Sequence, residues 1–446
     1  MSRDHALKQL VGARGKGPVR GISSICSAHP LVIEAALRRG KAEGAAVLIE
    51  ATCNQVNQEG GYTGMTPADF RRFVEGIAAR VGFPAEDLIL GGDHLGPHPW
   101  KALPAEEAMA RAGAMIAAYI DAGFRKIHLD TSMGCAGEPD GLADDVTAGR
   151  AARLARIAEE RAALSNLARP SYVVGTEVPP PGGATHVLGE IAITDPEAVE
   201  RTRAVHQAAF AAAGAGAAFE RVIGIVVQPG VEFGNANVAI YKPARARALS
   251  AALDRLPGLV FEAHSTDYQP AAALAALVED GFAILKVGPG LTFALREAFY
   301  GLDAITAELA PDAQNGSLRE TMERVMLESP AHWKSHYPGT LAEQRLQRHF
   351  SYSDRIRYYW PERRATAAVE RLLHRLDGHA IPETLISQYL ARVYPAVLAG
   401  TVRPTARDLC LAAVDAALAP YYAAVATAAR PQSSTAIITS EAFTTA

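Results

Sequence analysis

Cysteine is scarce: Cys26, Cys53, Cys135 and Cys410 are the only four in 446 residues, and no two form a CxxC pair. That spacing argues against a disulfide framework and a structural thiolate zinc site, and points to reduced thiols in a cytoplasmic protein. Charge of one sign is also missing. A formal net charge of −4 gives no electrostatic reason to bind nucleic acid or an anionic membrane. There is no run of about 18 apolar residues, which argues against a membrane span. Residues 1–21 are charged and lack the apolar core of a secretory signal. No solenoid-type repeat recurs. What is present is 49% hydrophobic and 21% charged residues, the composition of a soluble globular chain with ample core.

The organisation is one of alternation. Eight short apolar runs read as strands: residues 19–26, 46–51, 88–90, 126–130, 171–177, 222–227, 259–264 and 283–287. Helix-length segments lie between them, such as 29–39 and the alanine-rich stretch 105–121, with Thr66 as an N-cap before Pro67. Residues 5–14 read as a lead-in helix. This is the α/β pattern of a (β/α)8 TIM barrel with a C-terminal helical extension. A doubly wound open sheet competes, but eight regular units favour closure. The expected divisions are a barrel over 1–311, a helical extension over 312–430 packed on it without a Gly/Ser linker, and a flexible tail over 431–446.

Chemistry in such barrels sits where strands end at the C-terminal face. Collecting those ends gives Glu50, Asn54, Asp93, His94, Asp130, Glu177, Gln228, Glu232, Glu262, His264, Asp267 and Lys286. Ionisable groups converging on one mouth are costly unless paired or bound to metal. In Gly91-Gly92-Asp93-His94-Leu95-Gly96-Pro97, a carboxylate beside an imidazole suits metal-assisted proton transfer, although the same pair can simply cap a turn. His128 alternates with Asp130 and reads as a satisfied core histidine. His29 and His98 read as turn residues, and His332 and His336 as structural or surface groups. Lys286 reads as charge balance or a phosphate contact rather than a Schiff-base lysine. The amides of Gly288-Pro289-Gly290, opening a helix, suit a phosphate.

Several motifs together resemble one family. They are Ser27-Ala28-His29-Pro30, Glu50-Ala51-Thr52-Cys53-Asn54-Gln55-Val56-Asn57-Gln58, the Gly91–Pro97 segment, His128-Leu129-Asp130-Thr131-Ser132-Met133, Gly175-Thr176-Glu177-Val178-Pro179 and Ser353-Asp354-Arg355-Ile356-Arg357-Tyr358-Tyr359-Trp360. Over almost its whole length the chain resembles the Z-type subunit family of tagatose-bisphosphate aldolase, which is related to class II ketose-bisphosphate aldolases and includes ketose(-phosphate) 4-epimerases. The resemblance implies a divalent metal (Zn, Mn, Co or Ni), Asp93 as the proton-transfer acid/base with Asp130 or Glu177 as a second carboxylate, and His94 as a metal ligand. Asn237 stands where aldolases carry another liganding histidine, so the remaining ligands come from Glu177, Gln228, Glu232, Glu262 and His264. Asn54, Gln228, Lys242, Ser265, Asp267, Lys286, Thr292 and Arg355 are the candidates for holding sugar and phosphate.

Two functions follow from the resemblance. One is a ketose or ketose-phosphate C4 epimerase of the fructose/tagatose type, working by C3–C4 cleavage and re-addition. The other is a non-catalytic stabilising subunit for a catalytic aldolase partner. A sugar-binding module without turnover would not need a metal-type constellation. The extension offers apolar and aromatic surface for self-association.

Overall fold

Each of the eight apolar runs forms a short strand, because Val, Ile and Leu on both faces let a parallel strand be buried from inside and outside. The computed structural model describes residues 3–12, 20–175, 191–309, 316–378 and 380–427. The strands are β1 (Ile22–Cys26), β2 (Val47–Thr52), β3 (Leu88–Leu95), β4 (Lys126–Leu129), β5 (Ser171–Val174), β6 (Val222–Val227), β7 (Val260–Ala263) and β8 (Ile284–Val287). They pair in parallel and in sequence order, with β8 returning to β1, so the sheet is a closed barrel. Helices such as Pro30–Glu43, Pro67–Val81 and Ala105–Asp121 separate consecutive strands. Thr66 caps the second of these through a capping box with Asp69.

The two-residue period of a strand sorts the barrel interior into layers. At the bottom, Leu48, Ile89, Val173, Ile223, Val260 and Ile284 form an apolar layer, against which Leu7 and Leu10 of the helix Arg3–Gly12 pack. In the next layer come Glu50, Glu262 and Lys286, two residues further along β2, β7 and β8, and Lys126 at the start of β4, all buried. Lys126 Nζ lies 2.9 Å from Glu50 Oε1 and 2.7 Å from Glu262 Oε2. Lys286 pairs with Glu50 and lies 2.7 Å from Asp93 Oδ1. Ser24 donates to Glu50 Oε2 at 2.5 Å. Gly91 leaves the space this layer needs, since a Cβ there would stand 2.2 Å from Glu50 Oε1.

Two expectations change. β3 does not stop at its glycines but runs on to Leu95, with a register shift between Gly92 and Leu95 opposite β4. The helix Ala406–Thr427 includes a 21-residue stretch that by length and composition alone could cross a membrane. Half of that stretch is buried, and the helix packs on Pro30–Glu43, Ala271–Glu279 and Pro289–Leu309 around the barrel. Tyr421 at its far end donates to the carbonyl of Thr266 at 2.6 Å.

Replacing Lys126 by Met leaves Glu50 and Glu262 without their shared cation. Removing one partner from a buried ion network costs about 3–5 kcal/mol, so Lys126→Met is expected to lower the urea midpoint sharply at unchanged slope. An unaltered midpoint would show that the layer contributes little to stability.

Candidate active site

The site is assembled above the charged layer by residues one or two steps further along the same strands. The bulge in β3 is where His94 sits, with φ +49°. A bulge re-aims a side chain, and here Asp93 and the next residue, His94, both face the barrel mouth. Close approach of the loop is allowed at Gly96, where a Cβ would meet the Asp130 carbonyl oxygen at 1.7 Å.

Asp93, His94, His128 and His264 offer ligand-type atoms that all lie within 4.8 Å of one another. The three imidazole centroids are 4.8–5.2 Å apart. Each ring is held by an acceptor behind it. His94 Nδ1 is 2.8 Å from Asp130 Oδ2, His264 Nε2 is 2.9 Å from Glu262 Oε1, and His128 Nε2 is 3.0 Å from the Gly175 carbonyl. Those acceptors assign a proton to each outer nitrogen and leave lone pairs on His94 Nε2, His264 Nδ1 and His128 Nδ1. His128 Nδ1 accepts from the His94 amide at 3.1 Å, yet Asp93 Oδ1 also lies 3.1 Å from it. Two acceptors facing each other at that distance require a proton or a cation between or beside them. Glu50, Asp93, Asp130 and Glu262 set against Lys126 and Lys286 leave a formal charge of −2 with neutral imidazoles. This donor set fits a divalent cation.

Burial by itself would raise the Asp93 carboxyl, but His94 and Lys286 outweigh it and hold Asp93 well below the ordinary carboxylate range. Glu262 behaves in the same way, its burial outweighed by Lys126 and Lys286. Burial pushes the Cys26 thiol up, so Cys26, 3.7 Å from Asp93 Oδ2, stays a neutral donor.

A cavity of about 390 Å³ opens over the cluster. From the barrel it is lined by Cys26, Asn54, Asp93, His94, Asp130, His264, Ser265, Asp267 and Lys286; from the C-terminal region by His336, Arg355, Arg357 and Tyr358. The two arginines flank the Tyr358 ring, with guanidinium carbons 5.0 and 4.5 Å from its centroid. Tyr62, from the loop after β2, meets Tyr358 edge-on at 4.7 Å. Burial raises the Tyr358 hydroxyl, but Arg357 and Arg355 outweigh it and the net shift is downward. Asn235 ties this region to the barrel: its Oδ1 accepts from the hydroxyls of Ser351 at 2.9 Å and Ser353 at 3.0 Å.

Other residues singled out by sequence fall elsewhere. Asp130 lines the cavity, but its two oxygens serve His94 and Ser132. Gln228 Oε1 accepts the amides of Gly230 and Val231 at 2.8 and 2.9 Å and so shapes its own loop. Lys242 is exposed at the start of the helix Pro243–Ala252, away from the cavity lining. Thr292 donates to Asp354 Oδ2 at 2.6 Å and lines a neighbouring cavity instead. Glu232 is buried on a two-stranded ribbon outside the barrel sheet. Glu177 lies outside the described residues. The amides of Gly288 and Gly290, expected to receive a phosphate, are taken by Asp267 Oδ1 at 2.9 and 2.7 Å. His128, read from sequence as a core histidine, stands in the cluster; its alternation with Asp130 was the available signal. Asn237 does not line the cavity, and the cluster reaches three imidazoles without a histidine there.

A closed (β/α)8 barrel with an imidazole–carboxylate cluster at its mouth and cationic groups in the same cavity is the framework of an enzyme with a candidate metal site. The chain belongs to the D-tagatose-1,6-bisphosphate aldolase subunit GatZ/KbaZ-like family, whose description matches residues 7–426. It is 57% identical over 418 residues to a D-tagatose 6-phosphate 4-epimerase of Agrobacterium fabrum, covering 94% of this chain and 98% of that protein. Among solved structures it is similar to a probable tagatose 6 phosphate kinase from Sinorhizobium meliloti. That match has 63% identity and a TM-score of 0.85, and covers 91% of this chain and all of the other.

Asp267 generates a pH prediction. Burial raises its carboxyl to about 6, against the opposing pull of the Gly290 and Gly288 amides. A raised folded-state value means that its contribution is complete below the unfolded value near pH 4 and is lost as pH rises through 6. A shift of this size corresponds to a loss on the order of 3 kcal/mol. Asp267→Asn is therefore expected to be the more stable protein at pH 8 and to flatten the stability slope between pH 4 and 7. Parallel melting curves for both proteins across that range would refute the assignment.

Proposed function

We propose that this chain is a metal-dependent ketose-phosphate C4 epimerase that interconverts D-tagatose 6-phosphate and D-fructose 6-phosphate. The observation that carries the reading is one cavity lined by Asp93, His94 and His264 of the cluster, with His128 buried behind them, and by the cations Arg355 and Arg357. The relatives' names support the substrate: both mention tagatose 6-phosphate, and they differ only in the reaction.

His94, His128 and His264 would hold the cation, with Asp93 beside it. Bound there, a divalent ion such as Zn, Mn, Co or Ni would supply Lewis-acid polarisation of the substrate's carbonyl. The rest is work for the chain. Asp93, kept ionised by Lys286, takes the proton of the C4 hydroxyl. The electron pair of that O–H bond becomes the aldehyde C=O at C4, and the pair of the C3–C4 bond passes to the C1–C3 fragment as an enediolate. Arg355 and Arg357 retain the phosphorylated aldehyde while it rotates. C3 then adds to its other face, and a proton returns to the new C4 oxygen. Asp267, a second carboxyl in the cavity that titrates near neutrality, is the candidate to serve that opposite face. Atoms balance without any co-reactant.

A purely stabilising subunit has no use for three imidazoles each oriented by its own acceptor, so the helper reading is less supported. The reading needs no aldolase partner.

The purified chain, with its metal content measured, should convert D-tagatose 6-phosphate into its C4 epimer when given Zn, Mn, Co or Ni, and a chelator should abolish this. Turnover only after adding an aldolase subunit would overturn the proposal. Asp93→Asn should keep stoichiometric metal and lose at least about 10²-fold in kcat, the usual scale for removing a general base. His94→Ala should lose both metal and turnover. Full activity in Asp93→Asn would refute its role.

A further inference from the structure

A cavity that the epimerase reading leaves unused contains Arg296, on the helix Pro289–Leu309. It has a volume of about 410 Å³ and is walled by Phe293, Tyr300, Phe350, Tyr389 and Leu390. Arg296 is 2% exposed, the largest fully buried side chain described. Its guanidinium lies over the Phe293 ring, 4.1 Å from the centroid, with the rings of Tyr300 and Phe350 at 5.5 Å. Stacking of this kind covers the faces of the guanidinium and leaves its in-plane N–H donors to be satisfied. Among the described residues, Nη2 finds no acceptor. Nε has only Asp354 Oδ1, at 3.5 Å. Glu297, which also lines the cavity, is paired with Arg392 at 2.9 Å, and the Tyr300 hydroxyl with His349 at 2.6 Å. A buried cation beside an aromatic cavity, with Nη2 lacking an acceptor and Nε only a long pairing, is costly unless something anionic completes it.

We infer that this cavity is a binding site for a small oxyanion, a phosphate or carboxylate, held edge-on by Arg296 between its aromatic walls. The inference does not depend on the epimerase reading. The site is also placed to act on the catalytic cavity. Arg296 is the only ion-pair partner described for Asp354, whose backbone is held at φ +44° and whose other oxygen takes the Thr292 hydroxyl. Asp354 immediately precedes Arg355, and its carbonyl accepts from Arg357 at 3.1 Å. An anion on Arg296 would share the cation with Asp354 and so bear on the segment that carries both arginines.

The test is titration of the full-length protein with inorganic phosphate and, separately, with malonate, followed by calorimetry. Wild type is compared with Ala391→Trp and Arg296→Lys. Ala391 is an exposed residue of the cavity lining, so a tryptophan there fills the space without touching the core or the catalytic residues. The expected result is one binding event in wild type that is missing in Ala391→Trp and at least tenfold weaker in Arg296→Lys. Whichever anion binds tighter identifies the source, phosphate or carboxylate. Ala391→Trp changes an exposed position and leaves the buried Arg296–Asp354 pair in place, so the test stands even if Arg296→Lys does not fold. Identical isotherms for wild type and Ala391→Trp would overturn the inference. So would a wild-type dimer, seen by sedimentation and lost in Ala391→Trp with no change in anion binding; the acceptor for Arg296 would then be a carboxylate of a second copy.

Discussion

Two lysines enclosed with carboxylates in the middle of a barrel set the terms for everything above them. Lys126 and Lys286 cannot be buried as cations unless Glu50, Glu262 and Asp93 are ionised around them, and each carboxylate is equally dependent on the lysines. Despite burial, Lys126 stays charged because Glu262 and Glu50 outweigh it, and Lys286 because Asp93 and its other anionic neighbours do. A hydrophobic layer of the same volume would be at least as stable. What the ionic layer supplies is a fixed field: Asp93 is held by Lys286 from below, and Glu262 reaches up from the layer to orient His264. The same side chains thus belong to the core and to the site, so stability and chemistry cannot be varied separately there.

The cavity joins two sources of structure. The barrel supplies imidazoles and carboxylates from rigid strand ends, whereas the region after residue 330 supplies Arg355, Arg357 and Tyr358. The junction is polar and aromatic: Asn235 binds the Ser351 and Ser353 hydroxyls, and Tyr268 donates to the Tyr352 carbonyl at 2.6 Å while packing on Phe233 and Phe293. A reaction that breaks a carbon–carbon bond and rejoins the same two fragments benefits from such a division. On the proposed reading, one fragment would be held near the cluster and the phosphorylated one by the arginines, so that the aldehyde could turn without leaving.

The barrel was legible in the sequence because its signals are local. Apolar runs, caps such as Thr66 and the alternation of strand and helix do not depend on distant residues. Asp93, His94 and His264 were legible too, as polar residues at strand ends. His128 was harder: the period of two placed it inside beside Asp130, but its identity as cluster or core depended on His94 and His264, which reach it only after the barrel closes. The glycine turn at Gly288–Gly290 was misread for the same reason, since the carboxylate that claims its amides comes from Asp267, on the loop of the preceding strand. Lys242 shows the converse, a lysine near aldolase-like residues in sequence that the fold leaves in solvent.

Backbone strain follows the same map. Five non-glycine residues among those described have positive φ, and four of them, His94, Ser265, Tyr268 and Asp354, lie at the cluster, on the loop after β7 or at the junction with the C-terminal region. Such conformations cost roughly 1–3 kcal/mol each and persist only where the surroundings over-determine them. At His94 the surroundings are Asp130 on the ring and His128 on the amide. At Asp354 they are the Thr292 hydroxyl and Arg296 on the carboxylate, the Ser351 carbonyl on the amide, and the Arg357 amide and guanidinium on the carbonyl. Both strained positions are thus held through side chain and backbone at once, the first where the cluster is built and the second where the arginines are carried.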